Sequence, residues 1–496
     1  MLLALTVLTV RAQQRIPCIR HLPTDASKTR GILVYPSHDW DPQKIYRQPV
    51  VLISFSDCDF SMDDPAAYYD RLLNEPGYNE GYGEGSVADY YRDQSGGLFN
   101  LQFDVYGPFK VDIPVRNGTG NRYGEPAMKA AIKQLSATPG VDFSIYDWDA
   151  DSVQMVNQLF FIAAGLSGNQ VDGYIWPNTS FGRFEAPGGL YTANVSITCE
   201  LWKDSTSCGI GTICHEFAHC LGLPDIYPTV SNLFSVVDEW DLMDGGNYTN
   251  KGWCPPNFSA TEKMLMNWST PTELTGPTTV TGMKPVSEGG EAYIIRNSGN
   301  EDEFYVLENR RHSKWDYGLP GQGLLIFHVD YDREIWSNNM VNTSERHYRY
   351  DIFHADGKDY KTWDPANNGL DYGKYTMDNW MRNRYLCTSV YPYADSLTVN
   401  CSLTDESDPV AALFTANADG LMLMSKPVTN IRMADDGTIS FDFMGGATAI
   451  GGISTVTVAE PVAWYDLNGS RLPSAPSRPG IYIVRYSDGT TRKVIK

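Results

Sequence analysis

The spacing of apolar and polar positions divides the chain into three textures. PVVLISFSD, residues 49 to 57, is a nearly continuous apolar and β-branched run, which predicts a buried strand. In EGSVADYYRDQSGGLFNLQFDVYGPF, Ser86 is placed to open a helix, Gly96 and Gly97 to stop it, and Leu98 to Val105 then alternate as a strand does. EPAMKAAIKQL reads as a second helix, and MVNQLFFIAAG as a strand ending at Gly165. Helices and strands alternate up to the HExxH segment, which predicts an α/β or α+β domain of about 220 residues. From about residue 275 the pattern changes to short alternating runs such as EAYIIRN, EFYVLENR, GLLIFHVDY and GTISFDFMG, a β-rich texture. The small-residue stretch GGATAIGGIS at 445 to 454 then sets off a last strand-turn-strand unit.

The one long apolar run, MLLALTVLTV, stands at the start and is followed by RAQQ. It is too short to span a bilayer and has the character of an export signal with cleavage near Ala12, although it lacks the usual preceding basic residues. No other membrane-spanning candidate exists in the sequence. With 496 residues, several domains are expected. The boundaries are a signal peptide over 1–14, a leader or short propeptide over 15–45, an α+β domain over 46–272, a β-rich domain over 273–444, and a linker with a C-terminal unit over 445–496.

Apolar residues at 42% and aromatics at 12% exclude a disordered chain. A formal charge of −21 repels nucleic acid and anionic membrane surfaces and supplies carboxylates for divalent cations. The nine cysteines are odd in number and contain no C-x-x-C pair; Cys199, Cys208, Cys214 and Cys220 cluster as disulfide staples near a site would.

The chemistry concentrates in GTICHEFAHCLGLPDIYP, residues 211 to 228. On a helix His215 and His219 lie one above the other and can present two imidazoles to one ion. Glu216 falls about 100° around the helix, near enough to hold a water on that ion. Gly222 can end the helix in the left-handed conformation and turn the chain so that Asp225 reaches the same ion. Two imidazoles and a carboxylate leave a fourth tetrahedral position open, as a catalytic zinc site requires. A helix whose histidines merely pack is the competing reading, and it leaves Gly222 and Asp225 at those spacings unexplained.

HEFAHCLGLPDIY followed by EWDLMDGGNY resembles the immune inhibitor A family of secreted bacterial metallopeptidases, with its HExxHxxGxxD signature and downstream Trp-Asp-Leu-Met-Asp segment. GSVADYYRDQSGGLFNLQFDVYGP and YVLENRRHSKWDYGLPGQGLLIFHVD extend the similarity over roughly residues 45 to 360. The resemblance implies a zincin-like, metzincin-like catalytic domain and zinc endopeptidase activity on protein or peptide substrates. It assigns His215, His219 and Asp225 as zinc ligands, Glu216 as general base, and Met243 as an apolar platform beneath the zinc. Glu239 is the next choice for third ligand, and Tyr248 a weak candidate for stabilising the oxyanion.

YDWDADSVQ places Asp147, Asp149 and Asp151 at alternate positions, a spacing suited to structural calcium, but Ala150 and Ser152 stand where a calcium loop usually has glycine. His328 and Asp330, on one strand, are expected to form a hydrogen-bonded structural pair. The C-terminal unit, with YDLNGSRL, PGIYIVR and KVIK, resembles the sorting domain of type IX secretion cargo and is expected as a small β-sandwich. That resemblance implies the type IX machinery as a partner and a secreted or cell-surface location beyond the outer membrane of a Gram-negative bacterium. The competing function is a surface adhesion or binding protein that keeps the fold without proteolysis; Glu216 argues against it, because binding alone has no use for a water-activating carboxylate. Leader residues Cys18, Asp25 and Asp39 are candidates for blocking the open metal position before export is complete.

Overall fold

A computed structural model of the chain describes residues 19–21, 40–80, 83–116, 122–148, 155–229, 235–344, 346–358, 386–447, 461–466, 470–476, 481–486 and 491–495. The apolar run at 49 to 57 falls within strand β2 (Ile45–Ser54), whose residues Val50 to Ile53 are wholly buried. Strand β1 (Ile19–His21), β2, β3 (Asn100–Lys110), β4 (Leu159–Leu166), β5 (Asn178–Glu185) and β6 (Tyr191–Leu201) build one sheet in the spatial order β1-β5-β6-β4-β2-β3. Strands β3, β2, β4 and β6 run parallel, so each crossover carries other structure between them. Helices α1 (Pro65–Asn74) and α2 (Val87–Gln94) join β2 to β3, and α3 (Glu125–Ser136) joins β3 to β4. Ser86 opens α2 through a capping box with Asp89, and the helix stops ahead of Gly96 and Gly97.

The apolar pattern gives no warning of the hairpin β5–β6. Its β5 arm mixes Asn178, Thr179 and Ser180, all buried, with apolar residues, so burial does not follow hydrophobicity there. Strand β5 is antiparallel to β6, and β1, from the leader, pairs parallel with β5, with Ile19 opposite Thr179.

Helix α4 (Gly211–Cys220) carries the histidine motif, and every residue from Gly211 to His219 is buried. A helix enclosed on all sides needs close neighbours. At Gly211 a side chain would lie 2.1 Å from the Asn247 carbonyl oxygen, so only glycine allows that approach. Tyr91 of α2 donates to the Cys214 carbonyl at 2.6 Å and stacks edge-on against Phe217, anchoring the helix to the core.

The later region is β-rich. Strands β7 (Thr272–Glu273), β9 (Tyr293–Asn297), β10 (Asn300–Arg310), β11 (Gly323–Asp330) and β12 (Tyr350–Ile352) form a five-stranded sheet, and β8 (Thr278–Met283) pairs with Ile439–Phe443 in a three-stranded one. Val306, Phe327 and Trp336 enter the same core as Phe99, Phe217 and Trp268, while Leu307, Ile326 and Phe441 belong to a second core. Arg310 is fully buried and bound to Asp316 at 2.9 Å and Glu308 at 3.2 Å, the pairing that a buried guanidinium requires. His328 and Asp330 do not pair with each other. His328 bonds Glu303 of β10 at 2.9 Å, and Asp330 bonds His347 at 2.7 Å and Arg349 at 2.8 Å, both in the segment that leads into β12.

The fold is a mixed α+β assembly with β-rich regions. It separates into two compact units, residues 1–446 and 447–496. In the second, Pro461–Tyr465, Arg471–Leu472, Ile481–Tyr486 and Thr491–Ile495 make one antiparallel sheet; a second sheet, which a sandwich needs, is not found among the described residues. No described helix is long and apolar enough to cross a membrane. The signal peptide, Cys18, Asp25 and Asp39 lie outside the described residues.

Among the described residues no disulfide forms. Cys199, Cys208, Cys214 and Cys254 are buried as thiols, and burial pushes the Cys199 and Cys254 thiols up to about 12. The stapled loops expected around the motif are therefore held by packing.

Because the two units are separately compact, deletion of residues 447–496 should leave the thermal midpoint of the first unit within about 2 °C of that of the full chain, measured by circular dichroism. A larger fall would show that the last unit supports the first.

Candidate active site

Helix α4 sets His215 and His219 on one face, with ring centroids 4.8 Å apart and planes nearly perpendicular. Gly222 then adopts φ of +95°, and the N–H groups of Gly222 and Leu223 return to the carbonyls of His219 and Ala218. That reversal brings Asp225 back over the histidines. Its Oδ1 lies 3.4 Å from His215 Nε2 and 3.4 Å from His219 Nε2. Ligand atoms about 2.1 Å from an ion at tetrahedral angles stand about 3.4 Å apart, so this spacing fits one zinc-sized cation. Among the described residues these three form the only such group of potential metal ligands.

Backbone carbonyls set the direction of both rings. His215 Nδ1 bonds the Leu242 carbonyl at 2.9 Å and His219 Nδ1 the Leu223 carbonyl at 2.7 Å, leaving each Nε2 to face the shared centre. Leu242 belongs to the WDLMDGG turn, where Asp241 accepts from the Met243 N–H at 2.8 Å and the Met243 carbonyl accepts from the Ile226 N–H at 2.9 Å. Buried Met243 thus ties the turn to the ligand loop through its backbone. Burial alone would lower the His215 pKa, but the hydrogen bond it donates to Asp225 and the charges of Glu216 and Asp225 outweigh it and raise the value to about 9. The charge of His219, with hydrogen bonds from both imidazoles and the charge of His215, holds the Asp225 carboxyl far below the usual range despite its burial. The centre is built to stabilise positive charge.

Glu216 is buried beside this group. Burial pushes its carboxyl up to about 6, against the opposing pull of both histidines and Thr179. Thr179 of β5 donates to Glu216 Oε2 at 2.7 Å and lies 2.9 Å from Ser196 of β6. Sequence reasoning missed Thr179, since a lone threonine in an unrecognised strand carries no local signal.

Glu239 is buried but lies outside the three-residue group. The Tyr248 hydroxyl accepts from Asn169 at 2.9 Å, and its ring packs against Trp202. Asp147 follows the short turn Ser144–Tyr146; Asp149 and Asp151 lie outside the described residues.

An α+β core that buries an HExxH helix, with a third carboxylate folded back over it, is the architecture of a metallopeptidase catalytic domain. Residues 196–270 match the model of the immune inhibitor A peptidase M6 catalytic domain. The chain is 23% identical over 276 residues to pre-pro-metalloprotease PrtV of Vibrio cholerae serotype O1 (strain M66-2), an alignment covering 48% of this chain and 29% of that protein. It is 25% identical over 245 residues to immune inhibitor A of Bacillus thuringiensis subsp. alesti, covering 41% of this chain and 35% of that protein. The chain thus spans about a third of the length of the curated relatives it matches.

Asp225→Ala should leave the purified protein with well under one zinc per chain after dialysis, measured by plasma emission spectroscopy, because two imidazoles alone hold the ion poorly. Full zinc in that variant would move the third ligand elsewhere, with Glu239 the first residue to examine.

Proposed function

We propose that the chain is an exported zinc-dependent endopeptidase that hydrolyses peptide bonds of extracellular proteins by attack of an activated water. The observation that carries this reading is the convergence of His215 Nε2, His219 Nε2 and Asp225 Oδ1, their ligand atoms all within 4.8 Å of one another, with a buried carboxylate, Glu216, alongside. The match of residues 196–270 to the peptidase M6 catalytic-domain model and the similarity to relatives named as metalloproteases support it. The chemistry zinc supplies when bound is polarisation of the scissile carbonyl and a water pKa lowered toward about 7.

The chain's own groups do the rest. His215, His219 and Asp225 hold the ion, with the histidine tautomers fixed by the Leu242 and Leu223 carbonyls. Glu216, raised to about 6, is ionised at neutral pH yet basic enough to take the water's proton and pass it to the leaving amine. Thr179 occupies one carboxylate oxygen, which directs the remaining basicity of Glu216 through the other.

The wider proposal keeps residues 46–272 as catalytic domain, 273–444 as β-rich domain and 445–496 as a linker with a type IX sorting module. In it, a structural calcium ion binds at Asp147, Asp149 and Asp151, and the product leaves through the outer membrane of a Gram-negative cell. Loss of surface display or release on deleting residues 447–496, with the protein retained in the cell, is the outcome expected of a sorting module.

Glu216→Gln should keep zinc and lose proteolysis of a denatured protein by at least about 100-fold, since the amide preserves shape but cannot accept the proton. Parallel loss of zinc and activity would instead make Glu216 a ligand or a structural prop. Thr179→Val should retain zinc and lower kcat about tenfold, because a hydrogen bond to a charged group contributes about 1.5–3 kcal/mol. An unchanged kcat would remove Thr179 from the machinery.

A further inference from the structure

Asp225 has two carboxylate oxygens with different tasks. Oδ1 faces both imidazoles at 3.4 Å. Oδ2 accepts a hydrogen bond of 2.8 Å from the side-chain amide of Asn339, and the Asn339 carbonyl oxygen in turn accepts from the Asp225 backbone N–H at 2.6 Å. One side chain therefore meets a donor and an acceptor of the same residue. Only a primary amide can do so at this size, because a carboxylate has no hydrogen to give and an aliphatic chain has neither group.

Asn339 lies 114 residues beyond Asp225 and outside the matched stretch 196–270. It follows the short helix α5 (Arg333–Ser337) with φ of +57°, a left-handed conformation that asparagine tolerates better than most side chains. Its own carbonyl accepts from the Thr229 hydroxyl at 3.1 Å. Three residues on, Asn342 donates to the Ile226 carbonyl at 2.9 Å and is clamped to Tyr350 of β12 by bonds of 2.8 Å and 3.1 Å. The Tyr350 hydroxyl reaches Asp241 at 3.0 Å, in the turn whose Leu242 carbonyl holds His215. The β-rich region thus grips the ligand loop and the histidine-holding turn together.

We propose that Asn339 is a positioning residue of the metal centre: its amide ties down Asp225 Oδ2 so that Asp225 offers the ion a single oxygen, and the third ligand is thereby set from the β-rich region. This rests on the zinc reading above.

The test uses the full chain stripped of metal, reloaded with zinc against a chromophoric chelator, and reloaded separately with cobalt(II) for its visible spectrum. Asn339→Asp keeps the shape and the left-handed backbone but removes the donor. It should weaken zinc binding about 10- to 100-fold, the range for loss of a partner to a metal ligand. It should also lower the cobalt absorption in the visible, as a released carboxylate adds its second oxygen and the coordination number rises. Asn342→Ala cuts a neighbouring tie of the same loop without touching Asp225, and measures the purely structural effect. Zinc affinity and cobalt spectrum of Asn339→Asp no different from those of Asn342→Ala would overturn the proposal while leaving the zinc reading intact. If the aspartate variant fails to fold, Asn339→Gly, which also accepts positive φ, replaces it with the same expected losses. A wild-type chain that binds neither ion would instead overturn the zinc reading itself.

Discussion

The burial of a carboxylate between two imidazoles is the constraint around which the rest of this structure is arranged. Asp225, His215 and His219 are all removed from water, and an isolated buried charge of this kind costs several kcal/mol. Each group is offset by a partner held beside it. The Leu242 and Leu223 carbonyls, the Thr179 hydroxyl on Glu216 and the Asn339 amide on Asp225 come from four separate parts of the chain. Together they decide where the imidazole and carboxylate atoms of the buried group point.

Sheet and helix serve that arrangement by geometry. Parallel strands β2, β4 and β6 are buried, and β5 and β6 bring Thr179 and Ser196 against one flank of α4. The close approach at Gly211 sets how deep the helix sits, and the Tyr91 bond to the Cys214 carbonyl fixes its far side. The later β-rich region adds a third support through Asn339, Asn342 and Tyr350. A site of this kind is shared among strands, helix and distant loop.

The parts of this site that sequence made legible are those governed by local periodicity. His215, Glu216 and His219 follow from the 3.6-residue repeat, and Gly222 with Asp225 follows from the need to reverse the chain after the helix. The buried strands β2 and β4 and the capped helix α2 were legible for the same reason. Thr179 and Asn339 were not, since they act across 37 and 114 residues, where spacing along the chain carries no information about distance. The hairpin β5–β6 escaped because many of its buried positions are polar, and the expected disulfides failed because Cys199 and Cys214 lie in packed core as free thiols. The partners of His328 and Asp330 come from neighbouring elements that one strand's sequence does not display.

The buried thiols have a consequence of their own. Cys199 lies on β6 and Cys214 on α4, in the core that carries the metal ligands, and burial holds both sulfurs in their unreactive, protonated form. A small alkylating reagent can reach them only when strand and helix part. The sulfhydryls are therefore a clock wound into the protein: their rate of labelling reads how often this half of the molecule opens, residue by residue, without any added probe.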